Sequence, residues 1–303
     1  LGATVSVSEE QPGIETRATL HFDAAPGESN DVTVDFSEAS PTEFRVDLHD
    51  EWGGMLSGHG CSVTESSGKE VVCSLHRPHS VEYTYCGRSC ANSIPGSGWT
   101  TNVSAALGDG DNAFRMNFPG GGGGAIDVTA TAGDGNDTIV TSEGEDRIEA
   151  GGGNDEIHTN SGSDSIVAPP APDGPDVYDL GPDYNVIDYS ARSAPVLYSV
   201  EGEGNSGAPG EGDTVRGAIA VLTGSGDDVL SGGPAVEHFV SGDGNDQLHG
   251  GGGEDDLNGE GGENQLYGED GNDRLAVERL SPPSAGNTVI APSFADGGAG
   301  DDS

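Results

Sequence analysis

The sequence predicts an all-β chain, most of it a solenoid of stacked nine-residue repeats behind a small β region. Three observations carry that prediction. A glycine-aspartate period of nine runs through two blocks, apolar and polar residues alternate in the first hundred positions, and large apolar side chains are scarce. The apolar set is 32% and the aromatics 5% of 303 residues, below the roughly 45–50% of an ordinary globular chain, a benchmark that also counts glycine. A conventional packed core is therefore not expected through most of the length. The formal charge is −42, with 53 acidic against 11 basic side chains. High charge with low hydrophobicity is the usual mark of disorder, so a compact chain of this kind needs a counter-charge, and a divalent cation is the simplest. The sign excludes nucleic acid and anionic membrane as partners. The longest apolar stretch, Ala218–Leu222, falls far short of the roughly 20 residues of a membrane helix. No charged-then-apolar signal segment opens the chain, so export is expected to be signalled elsewhere or the form to be processed.

Residues 1–104 form the first region. Period-two alternation at Val5-Ser6-Val7 and over residues 32–36 and 44–48, punctuated by Pro26-Gly27 and Pro95-Gly96, is the pattern of half-buried strands joined by turns. Its four cysteines admit two readings. Cys61 and Cys73 flank an alternating segment with Ser67-Gly68 near its middle, a hairpin that a disulfide would close, and a Cys86–Cys90 bridge would close a small loop under strict geometry. The alternative is zinc, since His76, His79, Cys86 and Cys90 have chelating spacing.

Residues 105–303 form the second region. Gly108-Asp109-Gly110-Asp111-Asn112-Ala113-Phe114 reads as a degenerate opening repeat. Four uninterrupted nonapeptides then span 132–167: AGDGNDTIV, TSEGEDRIE, AGGGNDEIH, TNSGSDSIV. Six more span 223–276: TGSGDDVLS, GGPAVEHFV, SGDGNDQLH, GGGGEDDLN, GEGGENQLY, GEDGNDRLA. Between them the frame resumes after a three-residue slip, with Gly174, Asp176 and Tyr178, then Asp183, Asn185 and Ile187. The stretch 171–222 reads as a widened coil, with Glu211 and Asp213 as extra ligands. The chain closes on a repeat stopped at its seventh position, 297–303, whose sixth position is Asp302.

Within each repeat the glycines supply a tight turn, and the three residues around position eight a short strand. Position eight is Ile139, Ile148, Ile157 and Ile166 in the first block, then Leu230, Phe239, Leu248, Leu257, Leu266 and Leu275. One inward side chain per strand leaves a thin core. At about 25 cal/mol per Å², two aliphatic side chains give only a few kcal/mol against eighteen ordered residues, so stacking and a further source of free energy are both required. Position six supplies it. Two nonapeptides make one coil, so residues eighteen apart stack: Asp137 on Asp155, Asp146 on Asp164, Asp228 on Asp246, Asp255 on Asp273. Bare carboxylates in such ladders repel. Carboxylates with turn carbonyls suit Ca²⁺, which takes 6–8 oxygens in flexible geometry, whereas Mg²⁺ demands a tighter octahedron and keeps its waters.

The unit G-G-x-G-x-D-x-U-x is itself a described calcium-binding β-helix repeat, and these blocks resemble RTX (repeats-in-toxin) hemolysin-type calcium-binding proteins. The resemblance implies a right-handed parallel β-roll with several Ca²⁺ held between successive turns. By position it implies ligands at Asp137, Asp146, Asp155, Asp164, Asp176, Asp228, Asp246, Asp255, Asn264, Asp273 and Asp302. Carbonyls are implied from Gly133, Gly135, Gly144, Gly151, Gly153, Gly162, Gly224, Gly226, Gly242, Gly244, Gly251, Gly253 and Gly271. Two positions depart from the pattern. Asn264 is a neutral oxygen ligand, and Glu237 follows Ala235 where a glycine belongs.

An acidic, calcium-loaded, exported chain favours the disulfides Cys61–Cys73 and Cys86–Cys90 over zinc. No G-x-S-x-G, H-E-x-x-H or P-loop is present, and a carboxylate clamped on Ca²⁺ is a poor general acid. The expectation is a secreted, non-enzymatic structural protein, extracellular or at the cell surface. Its partners are calcium ions and further copies of itself, stacked end to end through the half-made last repeat into a fibre or matrix. The alternatives are an adhesive module on a calcium-stabilised stalk, and the tail of a secreted RTX enzyme or toxin.

Overall fold

A computed structural model describes residues 4–10, 17–23, 31–40, 43–50, 56–57, 61–63, 70–76, 101–117, 126–200, 202–277 and 294–303. Every regular element among the described residues is a strand. The chain divides into two compact units, Leu1–Ile148 with His158–Gly162, and Glu149–Ile157 with Ser163–Ser303.

The first unit opens with β1 (Thr4–Glu10), β2 (Arg17–Asp23), β3 (Asp31–Ser40), β4 (Glu43–Asp50), β5 (Leu56–Ser57), β6 (Cys61–Val63) and β7 (Glu70–His76). The three segments read as alternating lie in β1, β3 and β4. Antiparallel pairing joins β1 to β2, β3 to β4, β4 to β7 and β6 to β7. Cys61 and Cys73 face one another in register across β6 and β7; Cys86, Cys90 and His79 lie outside the described residues.

The pairing then becomes parallel. β8 (Thr101–Gly108) lies against β2 and β10 (Ile126–Ala132), and β9 (Ala113–Asn117) lies against β3 and β11 (Thr138–Val140). The boundary expected at residue 104 thus falls inside β8, and the ladder of the opening coil continues into β2 and β3. Phe114 and Leu107 are buried, so the degenerate repeat at 108–114 does form a coil. Alternation persists in β10, where Ile126, Val128, Ala130 and Ala132 point inward. Ile148, on β12 (Arg147–Glu149), is also fully buried.

The second unit continues with β13 (Glu156–His158), β14 (Ser165–Val167), β15 (Val177–Asp179), β16 (Asn185–Asp188), β17 (Leu197–Ser199), β18 (Thr214–Arg216) and β19 (Ala218–Leu222). It ends with β20 (Val229–Ser231), β21 (His238–Val240), β22 (Gln247–Gly253), β23 (Asp256–Asn258), β24 (Gln265–Gly271), β25 (Arg274–Ala276) and β26 (Phe294–Asp296). One parallel ladder runs β14-β16-β19-β21-β23-β25, another β17-β20-β22-β24-β26. The register is eighteen residues through the second block, Val229 opposite Gln247 and Gln247 opposite Gln265. Position eight therefore stacks on position eight. Ile166, Ile187, Val221, Phe239 and Leu257 form one inward column; Tyr198, Leu230, Leu248 and Leu266 form the other. All are buried, so the thin core is the one expected, and the unit is a parallel β-solenoid of the β-roll type.

The widened coil is visible in the register. Ile187 pairs with Val221 and Tyr178 with Val215, far beyond eighteen residues apart. The inserted length is folded back on itself through antiparallel bridges Leu197–Gly207 and Ser206–Asp213. Turn geometry explains one glycine directly. Gly253 has φ of 132° and a β-carbon there would fall on the carbonyl of Ala235, so a side chain there is both strained and blocked.

Candidate metal centre

Each turn delivers its sixth residue, just ahead of a strand, into the interior, because the turn glycines fold the backbone tightly around it. In the second block two rows of turns result. Asp228, Asp246 and Asn264 precede β20, β22 and β24, while Glu237, Asp255 and Asp273 precede β21, β23 and β25. All six are at most 4% exposed.

One oxygen of each stacked acid is spent on the ladder. Asp228 N donates to Asp246 Oδ1 at 2.9 Å, Glu237 N to Asp255 Oδ1 at 2.8 Å, and Asp255 N to Asp273 Oδ1 at 2.9 Å. Asp228 thus meets Asp246, and Asp255 meets Asp273, as the period requires. Asp273 N reaches Asp302 Oδ1 at 3.0 Å. Earlier in the same unit, Asp155 N donates to Asp176 Oδ1 and Asp164 N to Asn185 Oδ1, each at 2.8 Å. In the first unit Asn112 N donates to Asp137 Oδ1 at 2.7 Å and Val128 N to Asp146 Oδ1 at 2.8 Å.

The second oxygen separates the sites. Oε2 of Glu237 and Oδ2 of Asp228, Asp255 and Asp273 are buried with no hydrogen-bond donor on them. A β-carbon placed on Gly250 would meet Asp255 Oδ2 and, at 2.8 Å, the carbonyl oxygen of Gly268. One placed on Gly232 would meet Gly250 O and, at 2.8 Å, Glu237 Oε2. Each glycine thus leaves space that faces a carboxylate oxygen and a carbonyl oxygen of the next coil. At three other turns the protein fills the need itself. Ser241 Oγ donates to Asp246 Oδ2 at 2.7 Å, the Thr141 hydroxyl donates to Asp146 Oδ2, and Tyr178 OH donates to Asp176 Oδ2.

Three asparagines at sixth positions behave alike. Asn264 keeps Oδ1 on the Asp246 amide at 2.9 Å and turns Nδ2 onto the carbonyls of Gly259 and Gly261. Asn185 Nδ2 donates to Leu180, Gly181 and Pro182 carbonyls, and Asn112 Nδ2 to those of Gly108 and Gly110. In Asn264 the carbonyls reached are the first and third of the repeat. Second-position carbonyls expected as ligands, those of Gly224 and Gly242, accept the amides of Asp243 and Gly261 at 2.9 Å. A glycine carries no side chain to mark where its carbonyl points, so this assignment needed the backbone.

The widened coil departs furthest from expectation. Glu211 and Asp213, expected as extra ligands, are engaged by the protein. Arg192 is buried, with Nη1 and Nη2 both on the Glu211 carboxylate, Nε on Pro169 O at 3.0 Å, and its guanidinium 4.7 Å from the Tyr189 ring centre. Asp213 accepts Tyr189 OH at 3.1 Å and Asp176 N at 3.2 Å. Sequence reasoning missed Arg192; the available signal was a single cation within a long acidic stretch.

Electrostatics follow the burial. Loss of hydration pushes the Glu237 carboxyl from its ordinary 4.5 up to about 7, with the Asp255 charge adding to it. Burial likewise lifts Asp246 and Asp137 to about 6, and raises Asp228 and Asp255. Glu211 moves the other way: burial pushes it up, but the Arg192 hydrogen bonds and charge outweigh that and hold it low. Among the described residues no three His, Cys, Asp or Glu side chains converge on one point. A cation here takes much of its shell from main-chain carbonyls, a hard, oxygen-only set that suits Ca²⁺.

A parallel β-solenoid whose turns present buried carboxylate and carbonyl oxygens defines a calcium-binding β-roll. The family model for the RTX calcium-binding nonapeptide repeat (4 copies) matches residues 131–166, 221–248 and 240–275. Across these residues the chain carries RTX hemolysin-type repeats, which are calcium-binding repeats. No curated protein matches the chain significantly.

Proposed function

We propose that this chain is a secreted, non-enzymatic structural protein whose β-roll folds on binding several calcium ions. The observation that carries the reading is the set of buried acidic oxygens without a donor, on Glu237, Asp255 and Asp273. A buried, unpaired carboxylate costs several kcal/mol, and three in one row are not sustainable without a cation. Calcium bound only by the folded form then contributes to folding directly. Extracellular calcium modules work at dissociation constants on the order of 10⁻⁴–10⁻³ M, so the same chain stays unfolded where calcium is scarce and folds outside the cell. That coupling supports a secreted location.

The non-enzymatic reading is supported by how the buried acids are used. Their free lone pairs face turn carbonyls or the chain's own donors, an arrangement that holds a cation or closes a coil rather than moving a proton to a substrate. Far-UV circular dichroism during calcium addition to chelated protein tests the folding claim. The disulfide Cys61–Cys73, whose residues are opposite one another in β6 and β7, fits an oxidising environment. Thiol labelling of unreduced and reduced protein reads it out.

A further inference from the structure

Resting on that calcium-binding reading, we propose that in the second block calcium loads along the turns of Glu237, Asp255 and Asp273 and not at the turns of Asp246 and Asn264. The row of Glu237, Asp255 and Asp273 takes the cations; in the other row the Ser241-capped Asp246 turn and the Asn264 turn are closed by the protein's own hydrogen-bond donors, whereas Asp228 Oδ2 has no donor.

The two rows share one backbone register. In both, the sixth residue gives one oxygen to the amide of the coil before it. In the Asp255 row, position one is glycine, Gly232, Gly250 and Gly268, and nothing from the protein reaches the other oxygen. That oxygen is more than nine-tenths buried with its side chain, and at Glu237 and Asp255 it faces a first-position carbonyl of the next coil. Two oxygen acceptors with no proton between them repel, and a cation is the missing charge. At Asp246 and Asn264 in the other row the same volume holds a donor. At Asp246 it is the Ser241 hydroxyl, and at Asn264 it is the carboxamide, whose nitrogen lies on the first- and third-position carbonyls.

Asparagine therefore reproduces the aspartate-plus-cation unit in a single side chain: its oxygen continues the ladder and its NH₂ replaces the metal. Asn185 repeats the arrangement in another coil, and Asn112 repeats its donor half, which makes it a recurring device rather than one isolated substitution. The consequence is that the coils holding Asp246 with Asp255 and Asn264 with Asp273 each pair one turn that closes without calcium with one that does not. Asn264, counted from its position as a neutral ligand, is assigned here as a substitute for the metal.

The test is calcium stoichiometry by equilibrium dialysis on the whole chain, wild type against Asn264→Asp and Asp255→Asn, with far-UV circular dichroism beside it. Asn264→Asp replaces the donor by an acceptor facing Gly259 and Gly261 carbonyls, so this variant binds more calcium than wild type and needs more calcium to gain its β signal. Asp255→Asn supplies a donor for the carbonyls of its own turn, so it binds less calcium yet reaches the wild-type β signal in saturating calcium. Stoichiometry unchanged in both folded variants overturns the proposal. If Asn264→Asp stays unfolded in calcium, Asp255→Asn decides: a lower count with a retained fold supports the partition, and an unchanged count overturns it. Wild-type protein that takes up no calcium overturns the calcium-binding reading itself, which is a separate failure.

Discussion

At the scale of single residues, the two oxygens of each sixth-position carboxylate have different fates, and this sets the pH response. Glu237 is raised to about 7 and Asp246 to about 6 by burial in the cation-free fold, above their ordinary 4.5 and 3.8. The folded form thus holds protons that the unfolded chain has released, and stability falls as pH rises. The contribution is fully present below about 4 and is lost as pH climbs through about 6 to 7. In chelator, the melting temperature is expected to rise as pH is lowered from 7 towards 5. In saturating calcium the slope reverses, because protons then compete with the metal for the same oxygens. Parallel slopes with and without calcium would contradict the assignment of Glu237 as a ligand. Arg192 offers a second residue-scale check. Removing one partner of a buried pair costs about 3–5 kcal/mol, so Arg192→Ala should lower stability by that order even in saturating calcium. Denaturant midpoints measure it, and a loss below about 1 kcal/mol, the range of exposed pairs, would place the pair in solvent.

At the scale of elements, three-residue strands hold together only through their columns. Leu257 is fully buried and lies in register between Phe239 and Leu275. Leu257→Ala removes the link between coils and should cost about 2–5 kcal/mol, read as a lower unfolding midpoint in calcium. The exposed neighbour Arg274, paired with Asp256 on the outer face, should cost at most about 1 kcal/mol when replaced by alanine. Much of this level was legible in the sequence. Ile139, Ile157, Leu230 and Leu248 recur at one place in a fixed period, and a period converts directly into register and burial. The widened coil was not legible at the same depth. Arg192 and Glu211 are nineteen residues apart with no repeat between them, and Tyr189 meets Asp213 only because the insert folds back. Asn264 was ambiguous for a chemical reason: a carboxamide carries both a ligand oxygen and a donor nitrogen, and only the geometry shows that the nitrogen faces the turn.

At the scale of the whole molecule, a formal charge of −42 has to be reconciled with acids buried in turn after turn. Monovalent salt screens exposed charges beyond about 8–10 Å but cannot supply the missing bond to a buried oxygen. Sodium chloride at high concentration is therefore no substitute for a divalent cation. The coils closed by Asn185, Asn264 and Arg192 keep local contacts without metal, so residual structure in chelator is expected around them. The most direct test of the account is far-UV circular dichroism of the whole chain, chelated and then titrated with calcium, with magnesium and sodium chloride as controls. The account predicts a cooperative gain of β signal with calcium that neither control reproduces. Spectra unchanged by calcium would mean that the buried carboxylates are not metal sites, and the account would fail.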